Sequence, residues 1–183
     1  MKRRFNHQLC VALLLMLVCI SLNIVTGCKT APANTTIFDV RQFGATGDGT
    51  TLDTAAIQKA LDACGTAGGG TVHFPAGKYL SKPVILHSRT TLQLDAGAVL
   101  QATDDRADFV NPAKTNSFIA FIGGTNLQDV AIIGPGTIDG AGGRWWGPAQ
   151  AARRKTPGYV LPRPCMIVLS NCVHPRHRSC PAR

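Results

Sequence analysis

The candidates for acid–base chemistry in this sequence are all aspartates, because the 183-residue chain has ten Asp and no Glu. Two carboxylates can serve as general acid and general base when their environments set their pKa values apart. Asp104 and Asp105 are adjacent, but they lie in a polar stretch where such residues usually form a solvated turn or begin a helix. Asp139 lies in a Gly-rich turn, where an Asp side chain commonly accepts a hydrogen bond from its own backbone. We therefore assign no catalytic residue.

Metal-ligand residue types are grouped near the end of the chain, at Cys172, His174, His177 and Cys180. Their spacing matches none of the common structural zinc sites. The sequence therefore predicts no metal and no cofactor.

Trp145 and Trp146 are the candidate substrate-binding residues. Aromatic faces stack on sugar rings, which makes an adjacent Trp pair in a Gly-rich region a candidate carbohydrate contact. The alternative is that a loop Trp packs on the layer of chain beneath it, and the sequence leaves both interpretations open.

A repeated pattern predicts the elements that hold these side chains. Segments 71–80, 91–100 and 129–138 each contain an alternating apolar pair, a small-residue turn and a second apolar pair. Alternation at period two places both apolar residues on one face of a short strand, and the Ala-Gly or Gly-Pro-Gly turns lead into the next strand. The segments begin 20 and then 38 residues apart. Such units bury their inner faces by stacking, which predicts an all-β solenoid, a parallel β-helix.

A Greek-key sandwich would also contain alternating short strands. It would not place the same turn at the same point of each unit, so we favour the parallel β-helix.

One amphipathic helix, 54–64, precedes the repeat, with Asp53 as its predicted cap and Cys64 on its apolar face. A solenoid needs its open end covered, and this helix is the natural cover. Cys64 is then expected to be a buried thiol rather than half of a disulfide.

The first residues have the form of an export signal. Lys2, Arg3 and Arg4 precede an apolar run over 9–22, which is shorter than the roughly 20 residues of a membrane-spanning helix. Residues 25–28 resemble the lipobox of bacterial lipoproteins, which would make Cys28 the lipid-carrying first residue of the mature protein. An ordinary secretory signal with a chance cysteine is the alternative. We expect a signal peptide at 1–27, a linker at 28–36, and an exported protein anchored to a membrane through Cys28.

The net charge of +9 belongs to the ends of the chain. Residues 1–27 have a net charge of +3, residues 28–139 of −2, and residues 140–183 of +8. A basic tail that binds nucleic acid is therefore the third and weakest functional hypothesis, since aromatic and basic residues are not interleaved and the chain has the form of an exported protein. We expect no nucleic-acid partner and a monomer.

Three segments carry a family resemblance. Residues 38–61 resemble the opening of the pectate-lyase-like β-helix superfamily, while 136–146 and 163–172 are similar to glycoside hydrolase family 28, the polygalacturonases and their relatives. The resemblance implies a right-handed parallel β-helix, a pectic polysaccharide substrate, and inverting hydrolysis by paired Asp without an obligatory metal. It covers most of the mature chain but well under half of a family member.

The family's Asn-Thr-Asp, Asp-Asp, Gly-His-Gly and Arg-Ile-Lys motifs follow the segment that ends at Cys172, and this chain has none of them there. We therefore expect 37–172 to be the amino-terminal part of a β-helix truncated at its carboxyl end. Residues 173–183 are expected to form an aberrant basic tail produced by a frameshift or premature truncation. The leading hypothesis is a polygalacturonase-like hydrolase that is inactive in this form. A non-catalytic polysaccharide-binding module and another β-helix enzyme such as a pectate lyase are the alternatives.

Overall fold

The computed structural model describes residues 36–114, 117–156 and 163–173, together with the backbone of 176–177. These residues fall within one compact unit, 34–183. The predicted signal peptide, the predicted lipid-attachment residue Cys28, and His174 and Cys180 lie outside the described residues, and so does the side chain of His177.

The strands of the described residues stack into three parallel sheets. The first sheet contains, in spatial order, β1 (Ile37–Asp39), β3 (Gly70–Phe74), β6 (Thr90–Leu94), β9 (Ala131–Ile133) and β12 (Arg176–His177). The second contains β10 (Thr137–Asp139), β7 (Ala98–Ala102), β4 (Gly77–Ser81) and β2 (Asp48–Leu52). The third contains β11 (Ile167–Ser170), β8 (Ile122–Thr125) and β5 (Val84–Ile85). The chain visits the sheets in turn, which is the topology of a parallel β-helix.

The repeat accounts for six of these strands. The alternating positions of β3 and β6 point inward, and Val72 and Leu92 face each other across the pair with at most 1 % exposure. The third unit differs from the predicted alignment, because Leu92 pairs with Ile132 and not with Val130. In the second strands, Leu100 pairs with Ile138, as the alignment predicts. The first strand of the third unit thus lies two residues further along the chain than predicted, and its turn into the second strand is shorter. Only the pairing between coils shows this difference.

The third strand of each coil has too weak a local pattern to be predicted. β5 has two residues, and β8 has the sequence Ile-Gly-Gly-Thr, in which two glycines remove the alternation. Their backbone bonds to neighbouring coils define them as strands, and these bonds join residues far apart in sequence.

Helix α1 (Thr54–Thr66) covers the first coil and runs two residues beyond its predicted end. Its apolar face is buried as predicted, and Cys64 is a free, fully buried thiol whose pKa is raised by that burial. The predicted cap is wrong in one respect. Asp53 occupies the cap position, but its carboxylate accepts hydrogen bonds from the N–H groups of Thr46 (2.7 Å) and Gly47 (2.9 Å) and makes none to the helix. Those two N–H groups belong to the connection before β2, which the side chain ties to the helix start.

A second helix, α2 (Gly143–Lys155), occupies the Trp-Trp region, for which the sequence predicted a loop. The 3₁₀ segments Val40–Phe43 and Arg106–Phe109 complete the described elements. Within the described residues, neither helix combines the length and the apolar character needed to span a membrane.

Candidate functional site

The turn between β10 and α2 positions the candidate binding residues. Asp139 Oδ1 accepts a hydrogen bond from the Ala141 N–H at 2.9 Å, as predicted for an Asp in a Gly-rich turn. Ala141 adopts a left-handed conformation with φ of 48°, which turns the chain out of the sheet. The Trp146 indole then lies against Gly142, where a Cβ atom would come within 3.3 Å of Nε1.

Helix α2 has an inner and an outer face, and the two tryptophans fall on different ones. The inner face carries Trp145, Ala149 and Ala152, which are buried or half-buried at helical spacing. Trp146 lies about 100° further round the helix, and 62 % of it is exposed. Adjacent residues of the same type therefore have different structural roles.

Trp145 is a core residue. Its ring packs edge-on against Phe109 (6.3 Å between centroids) and Phe118 (5.7 Å). The guanidinium of Arg106 lies over the rings of Phe118 (4.5 Å) and Trp145 (5.5 Å). Aromatic pairs and cation–π contacts of this kind each contribute about 0.5–1.5 kcal/mol beyond burial. This cluster anchors α2 and favours the packing interpretation for Trp145, while substrate binding stays a prediction for both tryptophans.

A cavity of about 360 Å³ opens beside Trp146. Its lining includes the buried rings of Phe109, Phe121 and Trp145 and the exposed side chains of Trp146, Arg163 and Asp139. The volume lies at the lower end of the range of ligand sites, about 300–1,000 Å³. An indole face suits the apolar face of a sugar ring, and a guanidinium binds a carboxylate through two parallel hydrogen bonds. The cavity thus combines groups suited to an acidic sugar.

The adjacent Asp104 and Asp105 have structural partners, in agreement with the predicted turn or helix start. Asp105 Oδ1 accepts a hydrogen bond from the Ala107 N–H at 2.9 Å and caps the short 3₁₀ helix. Asp104 forms an ion pair with Arg144 at 2.7 Å. These contacts join the 104–107 segment to itself and to the start of α2, and they give neither aspartate a catalytic setting.

Asp108 follows in the same segment and pairs with Lys82 at 2.8 Å. Burial raises the pKa of Asp108, but the hydrogen bond and the charge of Lys82 outweigh it, so the net pKa is lowered. Asp108 therefore remains a carboxylate that pairs with Lys82, the residue directly after β4. This is a structural role.

No group of three metal-ligating side chains occurs among the residues that the structure describes. Of the cysteine–histidine cluster considered from the sequence, Cys172 alone has a described side chain, a half-buried free thiol that donates to the Ser170 carbonyl at 3.3 Å.

A family model described as rhamnogalacturonase A/epimerase, pectate lyase-like matches residues 37–130, just over half of the chain. The chain belongs to this family. Among curated relatives, this pectate lyase-like chain is 37 % identical over 134 residues to an exo-poly-α-D-galacturonosidase from Dickeya chrysanthemi, covering 66 % of the chain and 22 % of the relative. It is 42 % identical over 119 residues to a probable polygalacturonase from Vitis vinifera, covering 57 % and 24 % respectively.

The solved polygalacturonase from Erwinia carotovora ssp. carotovora superimposes on this pectate lyase-like chain with a TM-score of 0.65 and 26 % identity, over 79 % of the chain and 41 % of that structure. The predicted right-handed parallel β-helix and the resemblance to polygalacturonases are therefore confirmed. The chain spans about a quarter of the length of the two curated relatives.

Arg163 is the cavity residue to which the sequence assigned no role. It is the first residue of one of the family-like segments. It lies 17 positions after Trp146, so the sequence did not indicate that the two side chains share a site. The stacking of coils brings both to one cavity.

Proposed function

We propose that this chain is the amino-terminal part of a glycoside hydrolase that acts on pectic polysaccharides. The observation that supports the proposal is that an exposed indole, Trp146, and the side chain of Arg163 line one cavity of a β-helix of this family. Pectic chains present apolar sugar faces and carboxylates, the two features that these groups recognise.

The proposed chemistry is inverting hydrolysis by an aspartate pair. One carboxylic acid protonates the leaving oxygen, and a carboxylate about 6.5–9.5 Å away activates water on the opposite face of the ring. The sequence contains none of the family's Asp motifs after Cys172. Asp104 is engaged in an ion pair, and Asp105 caps a 3₁₀ helix. We therefore propose that the 183-residue chain binds pectic polysaccharide without cleaving it.

Affinity electrophoresis in polygalacturonate gels, together with a reducing-end assay, tests this proposal. We expect retardation of the protein and no new reducing ends. Trp146→Ala should abolish the retardation, while Trp146→Phe, which keeps an aromatic face, should preserve part of it. Release of reducing ends by the chain would refute the inactive state, and equal migration with and without polygalacturonate would refute the proposed substrate.

A non-catalytic polysaccharide-binding module is the second candidate, favoured by the exposure of Trp146 in a chain that has none of the four family motifs after Cys172. Translation of the DNA beyond codon 172 in the other two frames separates the candidates. Asn-Thr-Asp, Asp-Asp, Gly-His-Gly and Arg-Ile-Lys in one of those frames would favour the hydrolase. Their absence from both frames would favour the binding module.

We also propose export and lipid attachment at Cys28, which would bring the cavity to polysaccharide outside the cytoplasm. Two or more acyl chains hold a protein stably on a membrane. In a bacterial host, the protein should sediment with membranes and incorporate labelled palmitate, and Cys28→Ser should remove the label and release the protein. A wild-type protein that stays soluble and unlabelled would rule out the anchor. Gel filtration of the released protein tests the expected monomer.

A further inference from the structure

The outer face of α2 continues away from the cavity as a line of exposed side chains. Trp146, Gln150, Arg153 and Arg154 are all exposed and follow one another at spacings of four, three and one residues. Such spacing places them along one side of a helix, and eight residues at about 1.5 Å each span about 12 Å. An aromatic face, an amide and two guanidinium groups thus follow one another from the cavity outward.

The charges on this face are unmatched within the described residues. Helix α2 contains no acidic residue, and neither Arg153 nor Arg154 forms an ion pair with a described side chain. Arg144, at the opposite end of the helix, is paired with Asp104. Cations in a last turn are favoured by the helix dipole, which explains their position along α2. The dipole does not explain a 62 %-exposed Trp146 at the other end of the same face.

We propose that the outer face of α2, defined by Trp146, Gln150, Arg153 and Arg154, is a binding surface for an acidic polysaccharide chain. One sugar ring stacks on Trp146 at the mouth of the cavity. The carboxylates of the next sugar units along the polysaccharide pair with Arg153 and Arg154. The surface selects for free carboxylates, because esterification removes the charge that the two guanidinium groups bind. This inference deepens the proposed function and rests on it for the choice of a pectic chain.

The test compares two double variants of the full chain that remove the same charge from different places. Arg153→Gln/Arg154→Gln removes the proposed contacts, while Lys59→Gln/Lys114→Gln removes two exposed cations that lie outside α2. The ligands are polygalacturonate and a highly methyl-esterified pectin. Circular dichroism and thermal melts verify that both variants fold as the wild type does.

We expect wild-type protein to bind polygalacturonate about ten-fold more tightly than the esterified pectin, and the arginine variant to lose about that factor on polygalacturonate alone. The lysine variant should bind as the wild type does, within about two-fold. Added salt should weaken the wild-type interaction and barely affect the arginine variant. Unchanged binding by the arginine variant, or equal losses in both variants, would overturn the proposal. So would retention of DNA as strong as that of polygalacturonate.

Alginate, a different uronate polymer, separates this inference from the proposed function. If wild-type protein binds neither pectic polymer but binds alginate through Arg153 and Arg154, the binding surface is supported and the pectic function is refuted. If it binds pectic polymers regardless of esterification and of the arginines, the function stands and the surface falls. If none of the three polymers is bound, both fall.

Discussion

The side-chain amide of Gln58 bonds to the backbone of Ile85 as a neighbouring strand would. Its Oε1 accepts a hydrogen bond from the Ile85 N–H at 3.0 Å, and its Nε2 donates to the Ile85 carbonyl at 3.1 Å. Ile85 lies in β5, the edge strand of the third sheet, and the next coil bonds to Val84 and to Leu86, the residues on either side of it. Helix α1 thus takes the place of the missing third strand in the first coil. An edge with unpaired backbone groups is a template for association, and Gln58 blocks this one.

Gln58→Ala should destabilise the protein by about 0.5–1.5 kcal/mol, because two solvent-exposed hydrogen bonds to the Ile85 backbone are lost and water replaces them in part. Gln58→Glu keeps an acceptor for the Ile85 N–H, but it replaces the donor that also bonds to Asp62 Oδ1 (2.8 Å) with a second carboxylate oxygen, so it should cost at least as much. Urea denaturation measures both, and exchange of the Ile85 amide proton should accelerate in Gln58→Ala. Lys59→Ala, on the exposed side of the same helix, is the control and should stay within about 0.5 kcal/mol of wild type. Equal stability of Gln58→Ala and the control would contradict the role of Gln58.

Asp48 should make stability depend on acid pH. Its carboxylate accepts hydrogen bonds from the Thr51 N–H (2.7 Å), the Thr51 hydroxyl (2.7 Å) and the Thr50 N–H (2.8 Å). These bonds, those of Thr51 foremost, hold the pKa of Asp48 well below its usual value in the folded state.

A lowered folded-state pKa contributes stability that is fully present above the unfolded pKa and is lost as the pH falls towards the folded one. Asp48→Asn should therefore melt below wild type near neutral pH, and the two melting temperatures should converge below about pH 4. Melting curves recorded over this range measure the difference. A constant gap at all pH values would show that the ionised form of Asp48 is not what stabilises the start of β2.

Trp145 and Trp146 should respond in opposite ways to the same substitution. Trp145→Ala empties an aromatic cluster and should cost about 3–5 kcal/mol of stability. Trp146→Ala removes an exposed ring and should change stability by no more than about 0.5 kcal/mol while it abolishes polysaccharide retention. Chemical denaturation and affinity electrophoresis of both variants measure the contrast. A large loss of stability in Trp146→Ala would mean that its ring supports the fold.

Gly134 should tolerate no side chain. It has φ of 105°, and a Cβ atom there would overlap the Leu94 backbone carbonyl. Gly134→Ala should therefore cost at least about 2 kcal/mol from strain and overlap. Gly143→Ala is the control, since a Cβ atom there meets nothing within 4 Å at the start of α2. Thermal melts compare the two, and similar melting temperatures would show that the turn after β9 can relax.

The repeat was predictable because its signal is local. Alternation at Val72 and Phe74, and again at Leu92 and Leu94, indicates a strand face without knowledge of any neighbour, and the small-residue turns mark where each strand ends. The same holds for α1, whose apolar residues recur at helical spacing. The hydrogen bond within the Asp139 turn was predictable for the same reason, since both of its partners lie within two residues.

The remaining features depend on contacts between distant residues. The two-residue strand β5 is identified by its bonds to β8, and the alignment of β9 follows from the pairing of Leu92 with Ile132. By itself, the sequence determined a stack of strand–turn–strand units with a helix before them, and it indicated a pair of tryptophans that either bind substrate or pack on the coil beneath. The tertiary structure alone decided that Trp145 is buried in the aromatic cluster while Trp146 stays exposed, and that both line one cavity with Arg163. The physical reason is that one residue turns the direction of a helical side chain by about 100°, and only the packing of α2 against the coils determines which direction is inward.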